Sequence, residues 1–329
     1  MPYPTDIINP AGFSAYMEAT FRSKAVFTAS GAARVDFDDP ALASAGGQLV
    51  TLRQFAEDTA ADEKNDGSTS SAASIGSIKN VGILCARKRW RQVDDAAKAA
   101  LDSGSQDAII QTIGSQVVPY WARKSQTALV NVLGALFAST GCLYATHAHA
   151  VGTATGTKKY LNYNALVDGM ALLGDDMESL ALIITPSKTW ADLKKDNASK
   201  VGVAYLTNEL GMPVAVPTFD GNKLVFVSDQ FPADTGGTNA LYHTFLARLG
   251  SMVIAPTRGM KVYPYFKGDV PMEGIMTTFD FVPHVYGTMW NTSYPSGGPA
   301  NTDLATAASW SVATGATAKD IGVIDVITN

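Results

Sequence analysis

The chain has two cysteines, four histidines and no stretch of 18 consecutive apolar residues, and each scarcity removes a class of protein. Cys85 and Cys142 lie in apolar neighbourhoods and read as buried thiols, not as the framework of a disulfide-rich domain. Without a long apolar run there is no transmembrane helix to assign. Met1–Pro10 lacks both a basic segment and an apolar segment of the kind that directs secretion, so a cytoplasmic origin is expected. The 25 Lys and Arg are outnumbered by 30 Asp and Glu, and no basic block has the density of a dedicated DNA or RNA reader. Gly-x-Ser-x-Gly, His-Glu-x-x-His and paired Cys-x-x-Cys are also missing, so the sequence offers no catalytic constellation.

Three segments come nearest to chemistry. Gly152–Lys159 has glycine, threonine and lysine, but three residues separate its glycines where a phosphate loop needs four, and no Ser or Thr follows the lysines. His147, His149 and Cys142 are of metal-ligand type, yet no fourth ligand stands nearby. Asp175, Asp176 and Glu178 precede a strand and read as loop and helix-capping carboxylates before they read as an acid pair. No catalytic, cofactor-binding or metal residue is therefore assigned, and no cofactor is expected.

What the sequence does have is a 46% hydrophobic content over 329 residues, enough for one large domain or two lobes. Its organising stretch is Gln106–Ala138. Ile109, Ile110, Ile113, Val117, Trp121, Leu129, Val132, Leu133 and Leu136 recur at three- and four-residue steps, the signature of one buried helical stripe. Asp107, Gln111, Ser115, Arg123, Lys124, Gln126 and Asn131 are expected on the opposite face. Pro119 cannot donate to the carbonyl four residues back, which predicts a kink or break before Tyr120.

Before this helix, residues 1–35 read as an arm whose Phe13, Tyr16, Met17 and Phe21 need another surface to dock on. Residues 36–93 read as a protruding hairpin: strands at Gln48–Phe55 and Ile78–Arg91 flank a long polar tip. The outgoing limb ends in Glu57, Asp58, Asp62 and Glu63, and the return limb in Arg87, Lys88, Arg89 and Arg91. A short helix is expected at Asp94–Leu101 and a connecting loop at Cys142–Tyr160.

From Asn162 helices and strands alternate. Helices are predicted at Asn164–Leu173 and at Lys188–Lys195, the second capped by Ser187, with a buried strand at Leu180–Ile184 between them. Asp220-Gly221-Asn222 joins the strands Met212–Val216 and Lys223–Val227. Further strands are expected at Ala240–Ile254, Gly259–Lys267, Gly274–Val282 and Ile321–Ile327. Pro264 places the second of these at a sheet edge. The fold class is α+β.

This order of parts resembles the major capsid proteins of tailed bacteriophages, with the Hong Kong 97-type fold. The likeness is carried by Lys24–Asp36, by Gly47–Arg91 as the extended loop, and by Gln106–Ala138 as the spine helix with Tyr120-Trp121 and Leu133–Phe137. Asn164–Lys195 with its Ile184-Thr185-Pro186-Ser187, Leu210–Val214 with Val227–Asp229, His284–Trp290, Asn301–Leu304 and Lys319–Asn329 complete it. The resemblance implies an N-terminal arm (1–35), an extended loop (36–93), a peripheral domain (94–160 and about 255–285) and an axial domain (161–254 and about 286–329). It further implies pentamers and hexamers of an icosahedral head assembled in the host bacterial cytoplasm. Its partners would be a separate scaffolding protein, a portal, decoration proteins and packaged double-stranded DNA held without sequence preference, with no membrane. Under this reading Glu57, Asp58, Asp62 and Glu63 meet Arg87, Lys88, Arg89 and Arg91 of an adjacent subunit. The autocatalytic cross-link of some relatives has no matching position. The alternatives are an encapsulin-like nanocompartment shell, an α/β hydrolase or transferase on Asn162–Ile254, and a phage tail or decoration protein.

Overall fold

The computed structural model describes residues 30–34, 48–55, 76–94, 106–207, 213–221, 223–231, 237–267 and 272–329. Residues 1–29 of the expected arm, the four acidic loop residues and residues 95–101 of the expected short helix lie outside the described residues, as do the side chains of Ile109, Ile110 and Ile113; the end of the arm pairs with the sheet at Ala33–Arg34, and Asp94 ends a strand.

In chain order the first strands are β1 (Ala33–Arg34), β2 (Leu49–Phe55), β3 (Ser77–Ile83) and β4 (Cys85–Asp94). The long helix α1 (Gln106–Leu136), the turn α2 (Tyr144–His147), β5 (Ala148–Ala150) and α3 (Tyr163–Met170) follow. Then come β6 (Leu182–Thr185), α4 (Ser187–Asp196), β7 (Val201–Thr207), β8 (Pro213–Phe219), β9 (Lys223–Val227) and β10 (Tyr242–Ala247). Two long strands, β11 (Met252–Lys267) and β12 (Met272–Val285), precede β13 (Thr288–Trp290), α5 (Asn301–Leu304), β14 (Trp310–Val312) and β15 (Val323–Thr328). They form three sheets, ordered β1-β11-β12-β4, β14-β13-β3-β2 and β5-β15-β10-β6-β9-β8-β7.

Helix α1 is a single helix of 31 residues with Pro119 inside it, so the predicted break does not occur. Proline removes one backbone bond, but buried side chains hold the helix on both sides of it: Val117 and Val118 before, Trp121 and Ala122 after. The expected stripe is found buried from Val117 to Leu136. The polar face is narrower than expected. Arg123 and Lys124 are exposed, whereas Gln126 is buried and donates from Nε2 to Ser228 Oγ at 3.4 Å. The helix ends at Leu136, two residues short of the predicted Ala138, and the chain turns at Gly141. A Cβ on Gly141 would stand 2.2 Å from the Leu136 carbonyl oxygen, so only glycine lets the chain turn there.

Helix α1 is shared by two lobes. Near its middle, Trp121 packs on Phe279 of β12 with ring centroids 5.9 Å apart, and its indole N–H donates to Thr277 Oγ1 at 3.1 Å. Near its end, Phe137 packs on Phe245 of β10 at 5.6 Å. Large apolar side chains fully buried in this way contribute about 1.5–3 kcal/mol each, which fixes helix and sheets as one core. A second core lies on the other face of the seven-stranded sheet, where Leu166, Trp190 and Leu193 meet Ile183, Phe219 and Ile324.

Several expectations need correction. Ala240–Ile254 is two strands in two different sheets, because Gly250 (φ 70°) turns the chain between them. Ser187 does not cap α4: Pro186 occupies the cap position, and Ser187 N–H donates to Asp229 Oδ1 at 2.8 Å. Cys142–Tyr160 is not all loop, since Ala148–Ala150 pairs in parallel with β15. The return limb of the hairpin is also two strands, which part at Leu84: β3 stays with β2, and β4 joins β12. The closing segment divides likewise, with Thr288–Val312 beside the hairpin and Val323–Thr328 in the seven-stranded sheet. Other expectations hold. Asp220 (φ 52°) and Gly221 (φ 81°) supply the two left-handed residues of the tight turn between β8 and β9. Pro264 lies on the stretch of β11 that pairs with β12 alone among the described residues.

Candidate assembly surfaces

The segments that came nearest to chemistry turn out to be structural. Asp175 pairs with Lys319 at 2.6 Å, Asp176 with Arg248 at 3.0 Å and Glu178 with Lys223 at 3.6 Å. They are three separate ion pairs, and the hydrogen bond and charge of Lys319 hold the Asp175 carboxyl below its usual range. His147 is buried with both ring nitrogens engaged, one 2.9 Å from the Ala318 carbonyl and the other 2.7 Å from Thr146 Oγ1. Among the described residues no group of three His, Cys, Asp or Glu could hold a metal ion. The Gly152–Lys159 loop is clasped by Asn329, whose side chain accepts from Lys159 N–H and donates to the Thr153 carbonyl, both at 2.5 Å. Cys85 and Cys142 are both free, and burial pushes the Cys85 thiol up to about 12, which leaves it inert.

The surfaces that distinguish this molecule are the two faces of the β1-β11-β12-β4 sheet. Alternate residues of a strand point to opposite faces, and directly paired residues share a face. Thr277, Phe279 and Phe281 of β12 are buried on the side of α1, so their partners Arg89, Arg87 and Cys85 on β4 lie on that side too. Lys88 and Trp90 pair with Thr278 and Met276, which in turn pair with Lys261 and Tyr263 of β11. Those side chains make the open face, where Trp90 is 41% and Tyr263 44% exposed. A groove of about 400 Å³ runs along it, lined by Lys88, Lys261, Tyr263, Thr278 and Asp280 and touched also by Arg87 of the edge strand β4.

The four basic residues singled out from the sequence are therefore adjacent in the chain but do not form one surface. Lys88 belongs to the open face. Arg87, Arg89 and Arg91 belong to the helix side, where Arg87 donates to Asn301 Oδ1 at 3.2 Å. Arg91 donates to Thr277 Oγ1 at 3.4 Å and lies 4.7 Å from the centre of the Tyr120 ring. Burial draws the Arg91 guanidinium below its ordinary value; Tyr120 opposes the shift and the like charge of Arg89 adds to it. Sequence reasoning had Lys261 and Tyr263 only as strand residues and Tyr120 and Lys124 only as helix residues. The period-two alternation of β4 was legible and would have separated Lys88 from its neighbours; the partnership with α1 was not.

The hairpin itself is not free-standing at its base. Val50 and Leu52 of β2 pack on Val253, Ala255 and Val282, and β3 also pairs with β13 through Val81 and Met289. Leu49 and Phe55 remain 41% and 77% exposed on the outer edge strand.

A long helix laid across one sheet, a second sheet carrying the other lobe, and a hairpin rooted between them define a phage capsid subunit of the Hong Kong 97 type. Solved capsids share this arrangement. That of cyanophage Pam1 superposes with a TM-score of 0.58 over 94% of this chain and 93% of its own, at 10% identity. The capsid of Ralstonia phage GP4 does so with 0.56 over 94% and 90%, also at 10% identity. The family model "Major capsid protein 13-like" (Gp13-like) matches residues 62–324, and the chain belongs to that family. The major capsid protein of Bacillus phage SPP1 is 27% identical over 314 residues, which span 93% of this chain and 92% of that one. The chain is thus a structural protein of a tailed-phage virion capsid.

Proposed function

We propose that copies of this chain assemble in the host cytoplasm into pentamers and hexamers of an icosahedral head enclosing double-stranded DNA. In this reading residues 1–35 are the docking arm and 36–93 the extended loop, whose last strand is given over to the peripheral sheet. Residues 94–160 with about 255–285 form the peripheral domain, and 161–254 with the closing segment form the axial domain. A separate scaffolding protein directs assembly, and a portal and decoration proteins complete the shell.

The observation that carries the reading is the one-sided peripheral sheet, whose open face exposes Lys88, Lys261, Trp90 and Tyr263. Exposed aromatic rings beside lysines gain stability when another surface excludes water from them. The acidic loop of an adjacent subunit, with Glu57, Asp58, Asp62 and Glu63, has the complementary charge. Lys88 and Lys261 are its counterparts on this face, where Arg87 also reaches the groove, while Arg89 and Arg91 are turned away.

The test is negative-stain electron microscopy with native mass of the chain expressed alone and with its neighbouring genes. Shells, tubes or rings of five and six subunits are expected. A monomer or dimer under every condition, even beside a candidate scaffold, would remove the reading.

A further inference from the structure

The helix side of the peripheral sheet concentrates positive charge that the fold does not use. Arg89, Arg123 and Lys124 are exposed, and half-buried Arg91, which feels the like charge of Arg89, lies with Lys124 against Tyr120. Arg91 approaches the Tyr120 ring to 4.7 Å and Lys124 to 5.8 Å, so strand and helix cations converge on one aromatic group. None of these four cations forms an ion pair among the described residues. Arg91 is fixed by Thr277 and Tyr120, and Arg123 Nε donates only to the Pro119 carbonyl of its own helix, at 3.2 Å. The chain as a whole carries a formal charge of -5, so this strip runs against the average of the molecule.

We infer that this strip, Arg89, Arg91, Arg123 and Lys124 around Tyr120, is the face that holds the phosphate backbone of the packaged duplex. The inference rests on the proposed reading of the chain as a shell around double-stranded DNA. It divides the two faces of one sheet between two partners: the open face takes the acidic loop of a neighbour, and the helix side takes the genome. The chemistry fits a phosphate partner better than a base reader. The cations are spread along a strand edge and a helix flank, as a backbone contact needs. Binding is therefore sequence-independent and strongly dependent on salt.

The experiment titrates short duplexes of two unrelated sequences onto the full-length protein by fluorescence anisotropy, between about 50 and 200 mM salt. The wild type should bind both alike. Arg89→Gln with Lys124→Gln should lower the slope of log affinity against log salt by about 1.8, two phosphate contacts at roughly 0.9 each. Lys88→Gln with Lys261→Gln, the same charge removed from the opposite face, should leave the slope unchanged. Arg89→Lys with Lys124→Arg should retain it.

An unchanged slope in the helix-side variant, or an equal loss in the open-face variant, overturns the inference. So does loss in the charge-preserving variant, which would mean that structure and not charge was removed. A helix-side variant that releases an acidic peptide covering residues 56–67 while binding DNA normally would assign the strip to the neighbouring loop instead. Shell formation by the same preparations is scored separately by negative stain. Failure of the wild type to assemble counts against the shell reading, and normal assembly with an unaffected slope counts against the DNA face alone.

Discussion

At the scale of single residues, His284 is a buried polar group that the fold leaves without a partner among the described residues. It is fully buried on β12, and neither ring nitrogen has a hydrogen-bond partner. Its ring neighbours are aromatic, with Trp310 and Tyr286 at ring distances of 6.3 and 6.2 Å. Burial pushes its pKa down from 6.5 to about 3, so it stays neutral in the folded chain. The unfolded chain takes up a proton below about 6.5 that the native one refuses until about 3. The unfolded form therefore binds more protons in that window, and stability falls as the pH falls through it. Each pH unit well inside the window costs up to about a factor of ten in the folded-to-unfolded ratio. His284→Phe should flatten the dependence of the urea midpoint on pH between 7 and 4. Buried His147, whose pKa burial also lowers, should leave part of the slope in place. A variant whose midpoint drops as steeply as that of the wild type would clear His284 of this role.

At the scale of elements, α1 was legible because its apolar residues keep a helical period through 31 positions, and a period of that length outweighs one proline. Its continuity also predicts the effect of removing that proline. Pro119→Ala restores an N–H directed at the Ser115 carbonyl, and should raise unfolding stability by about 1–3 kcal/mol, measured by urea denaturation. No change, or a loss, would mean that the proline ring packs at a site where the helix needs it. The strands were less legible, for identifiable reasons. Ala240–Ile254 carries apolar residues on both sides of Gly250, so the turn there was read through as one strand. Strand β7 escaped notice because Gly202 and Ala204 alternate with Val203 and Tyr205, and the larger side chains are on the exposed side, 59% and 74%. Its pattern is inverted relative to a strand that shows its burial by size. Parting β3 from β4 at Leu84 depends on which distant strand pairs with each half, which no local pattern encodes.

At the scale of the whole molecule, the charge runs were legible as runs, but their meaning depends on the sheet that splits them. The acidic loop and the open face are linked in the proposal by contacts between copies. A single exposed ion pair contributes only about 0–1 kcal/mol, too little to be detected in one subunit. A shell repeats the contact in every copy, so an effect below detection in the monomer becomes a large effect on assembly. Lys88→Glu with Lys261→Glu should therefore leave the unfolding midpoint of the free subunit nearly unchanged while sharply reducing the yield of shells. Raising the salt should weaken wild-type assembly in the same direction, because exposed pairs are screened within about 10 Å at 0.1 M. The decisive arm is compensation. Combining the two Lys→Glu changes with Glu57→Lys and Asp58→Lys should return shells, since the attraction is restored with its signs exchanged. Particle counts by electron microscopy across the four combinations separate the possibilities. If the quadruple variant assembles no better than either double variant, Glu57 and Asp58 are not the partners of this face, and the open sheet with Trp90 and Tyr263 is covered by another surface.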